Sequence, residues 1–148
     1  SGMATVARAL KPEIEMVGVQ AELFPSMYSA VTGDERPCGG DTLAEGIAVK
    51  APGQFTRQII AELVDEVLLV KESTLEHSVS LLLQIEKTVV EGAGAAGLAA
   101  LLAHPDRFAG KKVGTVLCGG NIDLARFIEL MDSDVAMQEL QEAGIAPA

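Results

Sequence analysis

Residues 113–131 read VGTVLCGGNIDLARFIELM and hold the strongest local pattern in the chain. The run VGTVLC (113–118) predicts a buried strand, and IDLARFIELM (122–131) predicts an amphipathic helix. Ligands of open α/β sheets bind where strands end, and the two glycines at this junction allow close approach to the backbone. The alternative is a tight turn, with Asn121 as the helix N-cap and Cys118 as a small buried side chain.

Upstream of this junction, short apolar strands alternate with helices. Two further buried strands are predicted at 16–20 and 66–70. The predicted helices are 2–10, 23–31 with Pro25 in its first turn, 55–64, a long helix opened by an S-x-x-E capping box of Ser73 and Glu76, and a small-residue helix that ends at Ala103. Strands separated by helices predict an α/β fold with a partial parallel sheet covered by helices.

Composition narrows the class of protein. The 148 residues fit one domain, and 11 basic against 21 acidic residues give a net charge of −10. Because phosphate binding needs clustered Lys and Arg, we expect no nucleic-acid partner. No apolar stretch approaches the roughly 20 residues that span a bilayer, so we expect a cytoplasmic protein with no membrane partner. The two cysteines form no CxxC pair, so neither a disulfide framework nor a zinc site is predicted.

Two other segments are rich in glycine. EGAGAAG (91–97) is predicted to interrupt the helices, and its small residues allow close packing against a backbone or a flat ligand. Glu91 stands at this break, where a carboxylate favours the following helix N-terminus. GDTLAEG (40–46) joins a polar loop to an apolar stretch. The alternatives are a glycine-rich kink capped by Glu91 and, for 40–46, a plain loop.

Three motifs together resemble the threonine/serine dehydratase family, which includes catabolic threonine dehydratases and serine racemases. They are GDTLAEG, TVVEGAGAAG and LCGGNIDL, in this order. The opening SGMATVARALKP also resembles the helix that follows this family's glycine-rich phosphate loop. The resemblance implies most of the large domain of a fold type II pyridoxal-phosphate (PLP) enzyme. Residues 1–131 would be the C-terminal part of the PLP-dependent catalytic domain, and 132–148 a C-terminal tail.

The resemblance also implies which residues bind PLP. Cys118 would hydrogen-bond the pyridine nitrogen, and such a neutral partner leaves the ring a weaker electron sink than an aspartate would. Gly119 and Gly120 would shape the floor near the ring. Gly46 would lie against the cofactor face or its 3′-hydroxyl, and Glu91 close to the ring.

Two further positions concern effectors and metals. Asn121 falls where some relatives contact a nucleotide effector. Glu22 aligns with a metal-binding glutamate of serine racemase-like members, but Tyr28 stands where the following aspartate ligand would be. This departure leaves no metal site predicted, and Glu22 is interpreted as a solvated or helix-capping carboxylate.

The family's Schiff-base lysine has no counterpart in the motifs of this chain. It lies in a Ser-Phe-Lys-x-Arg-Gly context, which none of the six lysines shares: Lys11, Lys50, Lys71, Lys87, Lys111 and Lys112. The phosphate-binding tetraglycine loop would end just before Ser1. We therefore expect no catalytic residue within the chain, no activity from the chain alone, and a missing N-terminal part of the same enzyme as its partner.

The resemblance implies part of a PLP-dependent L-threonine/L-serine ammonia-lyase. This dehydratase would eliminate water from its amino-acid substrate to give a 2-oxo acid and ammonia, and we expect a homo-oligomer. One alternative is a serine racemase-like isomerase. The other is a non-catalytic α/β fragment that self-associates through an unpaired sheet edge and apolar patches.

Overall fold

The computed structural model describes residues 1–132 of the chain. Its elements in chain order are α1 Gly2–Leu10, β1 Val17–Ala21, α2 Ser26–Thr32, a 3-10 turn Glu45–Ile47, α3 Gln54–Leu63, β2 Glu66–Val70, α4 Glu72–Gln84, α5 Gly92–Ala103, α6 Pro105–Phe108 and α7 Leu124–Asp132. Most of the predicted tail, 133–148, lies outside the described residues. Within the described part, no helix is both long enough and apolar enough to cross a membrane.

The strands β1 and β2 pair in a small parallel sheet, which confirms the predicted combination of helices with a partial parallel sheet. The chain divides into two compact units. The first comprises Ser1–Thr42 and Ile47–Leu69, and the second comprises Leu43–Gly46 and the described residues from Val70 onward. The short segment Leu43–Gly46 therefore belongs to the second unit.

In the first unit, a guanidinium ties the end of α1 to the start of β2. Arg8 forms a 2.6 Å ion pair with Asp65, whose carboxylate also accepts a 2.7 Å hydrogen bond from the Met16 N–H. Arg8 also donates to the carbonyl oxygens of Pro12, Ile14 and Leu63. The Met16 N–H and then Arg8 hold the pKa of Asp65 below its usual range.

In the second unit, α4 packs along α5 and also contacts α7. Its core is aliphatic and includes Val79 and Leu82 of α4, Ala95 of α5 and Leu130 of α7. Because α5 consists of glycine, alanine and leucine, its backbone can approach its neighbours closely. The first two turns of α5 lie at the centre of the site described below.

The prediction of a third strand at 113–118 is wrong. Residues 111–123 form neither helix nor strand, and every residue from 111 to 121 is exposed. An apolar run is recognised by its hydropathy, but a strand exists only where a neighbouring backbone completes its hydrogen bonds. Within residues 1–132, no strand pairs with 113–118. The alternative that Cys118 is a buried side chain is also wrong, because Cys118 is exposed.

Three predicted helix boundaries are also corrected. Helix α4 begins at Glu72 with Lys71 at its N-cap, so Ser73 lies inside the first turn and forms no capping box. The stretch EGAGAAG does not interrupt a helix, because Glu91 is the N-cap residue and Gly92 opens α5. Helix α7 is capped by Asp123, not by Asn121: Asp123 Oδ1 accepts hydrogen bonds from the N–H groups of Ala125 (2.9 Å) and Arg126 (3.1 Å).

Candidate functional site

The start of α5 is the point where the three glycine-containing segments meet. Gly92 faces the backbone of Leu43, and a β-carbon added at Gly92 would lie 2.6 Å from the Leu43 carbonyl carbon. The Glu91 N–H donates a 3.2 Å hydrogen bond to the Gly119 carbonyl oxygen. One turn further along α5, Gly94 faces the carbonyl group of Cys118. The segments at 43–46, 91–97 and 118–120 therefore form one continuous contact.

The Glu91 carboxylate lies between two glycines. A β-carbon at Gly46 would be 3.3 Å from Glu91 Oε1 and 3.1 Å from the Ala93 Cβ. A β-carbon at Gly119 would overlap the carboxylate, at 2.5 Å from its Cδ. Gly119 also has a φ of +86°, which side chains rarely adopt. The position of this half-buried carboxylate thus depends on the absence of a side chain at both glycines.

The glycines of α5 let the segment that contains Cys118 lie directly on the helix. A β-carbon at Gly94 would overlap the Cys118 carbonyl oxygen, and one at Gly97 would overlap the Thr115 hydroxyl. Glycine inside a helix costs about 1 kcal/mol relative to alanine. These positions explain why α5 contains glycine, since alanine would push away the Cys118 backbone at Gly94 and the Thr115 side chain at Gly97.

The structure brings together Gly46, Glu91 and Gly119 by direct contact. Cys118 joins them through its backbone, and its side chain is exposed. Gly120 is also exposed, and a β-carbon there would be 3.1 Å from the Val89 carbonyl oxygen. Asn121 is exposed next to Gly120 in the chain.

The first unit holds the two residues of the metal alignment. Glu22 is exposed, and the Tyr28 hydroxyl lies 3.3 Å from Asp34. The Arg36 guanidinium pairs with Asp34 at 2.9 Å and lies 5.0 Å from the centre of the Tyr28 ring. Within residues 1–132, no group of three His, Cys, Asp or Glu side chains has a geometry that could hold a metal ion.

One contact at the site could not be recognised from sequence. The Leu43 N–H donates a 2.9 Å hydrogen bond to Glu72 Oε2, which ties the 43–46 segment to the first turn of α4. Glu72 and Leu43 are separated by 29 positions. The sequence gives only the weak signal of an acidic residue in the first turn of a helix.

Comparison with known proteins decides the family. The profile described as "Pyridoxal-phosphate dependent enzyme" matches residues 1–119. The chain belongs to this family. Members of the pyridoxal-phosphate dependent enzyme family use PLP, so the cofactor predicted from the three motifs is confirmed at the level of the family.

Relatives within the family agree with the resemblance. The chain is 43% identical over 126 residues to an L-threonine ammonia-lyase of Thermotoga maritima, a match that covers 84% of this chain and 31% of the relative. The fold is similar to that of a threonine deaminase from T.th., with a TM-score of 0.70, 33% identity, and coverage of 83% of this chain and 46% of that one. Maize serine racemase gives a TM-score of 0.75, 28% identity, and coverage of 88% and 42%. The chain therefore spans about a third of the curated relative and less than half of each solved structure.

Proposed function

We propose that Cys118, Gly119, Gly120, Gly46 and Glu91 form one wall of a PLP site. The observation that carries this proposal is the Glu91 carboxylate, held between two glycines beside an exposed cysteine. These groups fit the cofactor, because a flat ring can approach glycine backbone without meeting a side chain.

The side chains of this wall have distinct roles. The Cys118 thiol would donate a weak hydrogen bond to the ring nitrogen and would leave that nitrogen without a charged partner. The Glu91 carboxylate, whose position Gly119 and Gly46 fix, would lie near the ring. When bound, PLP supplies an electron sink for negative charge at the substrate α-carbon. The residues of this chain orient the ring and set the polarity around it.

The whole protein is proposed to be an L-threonine/L-serine ammonia-lyase that eliminates water from the hydroxy amino acid. The released unsaturated amine is then hydrolysed by water to a 2-oxo acid and ammonia. Support comes from the threonine ammonia-lyase and threonine deaminase relatives, and from their shared fold. No lysine of the chain has the sequence context of the family's Schiff-base lysine. The 148-residue chain alone is therefore proposed to be inactive, with the lysine supplied by an N-terminal part of the same enzyme.

A chimera tests this proposal. The matched segment of the Thermotoga maritima relative is replaced by the corresponding residues of this chain, and 2-oxo acid formation from L-threonine and L-serine is measured. The chimera is expected to turn over threonine, and the 148-residue chain alone is not. Glu91→Ala in the chimera is expected to lower kcat/KM by about a hundredfold, the order of loss that follows a misplacement of about 1 Å at a reacting centre.

Glu86→Ala is the matched control, because Glu86 is an exposed glutamate in the turn after α4. It is expected to retain the activity of the chimera. Turnover by the 148-residue chain alone would contradict the proposed missing lysine. A folded, PLP-containing chimera that dehydrates neither substrate would contradict the proposed reaction.

A serine racemase-like isomerase is the second candidate, because serine racemases of maize and Dictyostelium discoideum share the fold. The same chimera cannot decide this alone, since its remaining residues come from a lyase. The reciprocal chimera, built on maize serine racemase, is assayed for D-serine and for pyruvate. D-serine formation that exceeds pyruvate formation in both chimeras would favour the isomerase.

The third candidate is a non-catalytic fragment that self-associates. Apolar side chains of the first unit support an additional protein contact, because Met3, Val6 and Leu10 of α1 and Phe55 of α3 are all more than half exposed. Either a homo-oligomer or the N-terminal part of the enzyme would cover them. Loss of self-association when that N-terminal part is supplied would favour the enzyme.

A further inference from the structure

We propose that Glu72 is a positioning residue, which holds Leu43–Gly46 against the start of α5 and so sets the distance between Gly46 and the Glu91 carboxylate. Its effect on a bound ring rests on the proposed PLP site. Its effect on the 43–46 backbone rests on the contacts of the second unit alone.

Glu72 is carried by a fixed element. It lies in the first turn of α4, a helix whose buried side chains Leu75, Val79 and Leu82 face the core, and α4 packs along α5. A carboxylate in a first turn is itself favoured by the free N–H groups of the helix. The hydrogen-bond acceptor offered to Leu43 therefore has a defined position relative to α5.

Leu43 is held on both sides of its peptide unit. Its N–H donates to Glu72 Oε2 at 2.9 Å, and its carbonyl lies against Gly92 at the first position of α5. Its side chain packs on the core of the second unit, and the next residue, Ala44, is fully buried. The backbone of Leu43 is thus fixed between the first turns of two helices.

The position of Leu43 affects that of Gly46, because the segment between these two residues is short. Only two residues separate Leu43 from Gly46, and a β-carbon at Gly46 would already be 3.1 Å from Ala93 and 3.3 Å from Glu91. A shift of the Leu43 backbone would therefore change the gap between Gly46 and the carboxylate. The hydrogen bond of Glu72 is made to the Leu43 N–H, so its proposed effect on Gly46 passes through the 43–46 backbone.

Amide hydrogen exchange of the 148-residue chain tests the anchor without any ligand. Glu72→Ala is expected to speed exchange of the Leu43 amide by about tenfold or more, because a hydrogen bond to a charged acceptor is lost. Glu72→Gln keeps an acceptor oxygen and is expected to give an intermediate rate. Glu86→Ala is the control and is expected to leave the Leu43 rate unchanged.

Exchange of the α5 amides separates a local anchor from a general loss of stability. They are expected to change less than about twofold in Glu72→Gln, while the Leu43 amide changes more. Equal Leu43 rates in Glu72→Ala and Glu86→Ala would overturn the proposal. The proposal would also be overturned if Glu72→Gln accelerated exchange of the Leu43 amide and of the α5 amides equally. This second comparison decides the case if Glu72→Ala fails to fold.

A titration of the chimera tests the effect on the ring site, because the chimera combines this wall with the rest of a PLP site. The probe is 4′-deoxypyridoxine 5′-phosphate, which has the ring and phosphate of PLP but no aldehyde, and the readout is the NMR shift of the Gly46 and Gly119 amides. Glu72→Ala is expected to weaken binding by about tenfold, and Glu86→Ala is not. Unchanged affinity in Glu72→Ala would overturn the role at the site. Glycine signals that do not move in the chimera without further substitutions would contradict the proposed PLP wall, while Leu43 exchange would still decide the anchor.

Discussion

Gly94→Ala is expected to destabilise the second unit by about 1–3 kcal/mol, because the added methyl group overlaps the Cys118 carbonyl oxygen. A backbone atom cannot rotate away as a flexible side chain can, so either α5 or the 115–118 segment must move. In an ordinary helix interior, replacing glycine by alanine stabilises the protein by about 1 kcal/mol. At Gly94 the same replacement is expected to destabilise it. Urea-induced unfolding followed by circular dichroism measures the difference.

The matched control for Gly94 is Gly114→Ala in the segment that packs on α5. A β-carbon at Gly114 would meet no atom within 4 Å, and its φ lies outside the left-handed region. This substitution is expected to change the free energy of unfolding by less than about 0.5 kcal/mol. Equal losses for the two substitutions would mean that Gly94 does not face a backbone.

Gly119→Ala is expected to have the second large effect, through two separable costs. The φ of +86° costs a residue with a β-carbon about 1–2 kcal/mol, and the β-carbon also overlaps the Glu91 carboxylate. Gly110→Ala isolates the first cost, because Gly110 has a φ of +71° and no atom near its β-carbon position. Gly119→Ala should therefore destabilise the chain more than Gly110→Ala does.

A double-mutant cycle with Glu91→Ala measures the second cost. Removing the carboxylate makes room at Gly119, so Gly119→Ala should cost less in the Glu91→Ala background, with a coupling energy of about 0.5–3 kcal/mol. Unfolding of the four proteins in urea gives this energy. Additive effects would show that the Glu91 carboxylate does not lie against Gly119.

The pattern of apolar residues in the sequence correctly predicted several helices and strands. The helix at 2–10 and the strand at 66–70 match the structure residue for residue, and the strand at 16–20 is displaced by one position. The helix has apolar side chains at helical spacing, and each of the two strands is a short apolar run. The run 113–118 is equally apolar, but pairing depends on a neighbouring strand that its own sequence cannot specify.

The glycines in the sequence predicted where the candidate site lies, but not which residues contact one another there. The glycines mark places where a backbone comes close, and the structure shows which backbone: Leu43 at Gly92, and Cys118 at Gly94. The contact of Glu72 with Leu43 could not be predicted, because its only sequence signal is an acidic residue in a first helical turn, which does not identify a distant N–H as the partner. The binding of PLP by Cys118, Gly119, Gly120, Gly46 and Glu91, and of an effector by Asn121, stays a prediction.

Alkylation of the two cysteines tests the proposed PLP wall most directly. Both are exposed and free, so Cys38 in the first unit is an internal control for Cys118 in the second. Iodoacetamide labelling of the Thermotoga maritima chimera, which supplies the rest of the site, is followed by mass spectrometry, with and without 4′-deoxypyridoxine 5′-phosphate at about ten times its dissociation constant. The ligand is predicted to slow labelling of Cys118 by about tenfold and to leave Cys38 unchanged. Equal labelling of Cys118 with and without bound ligand would contradict the proposed wall.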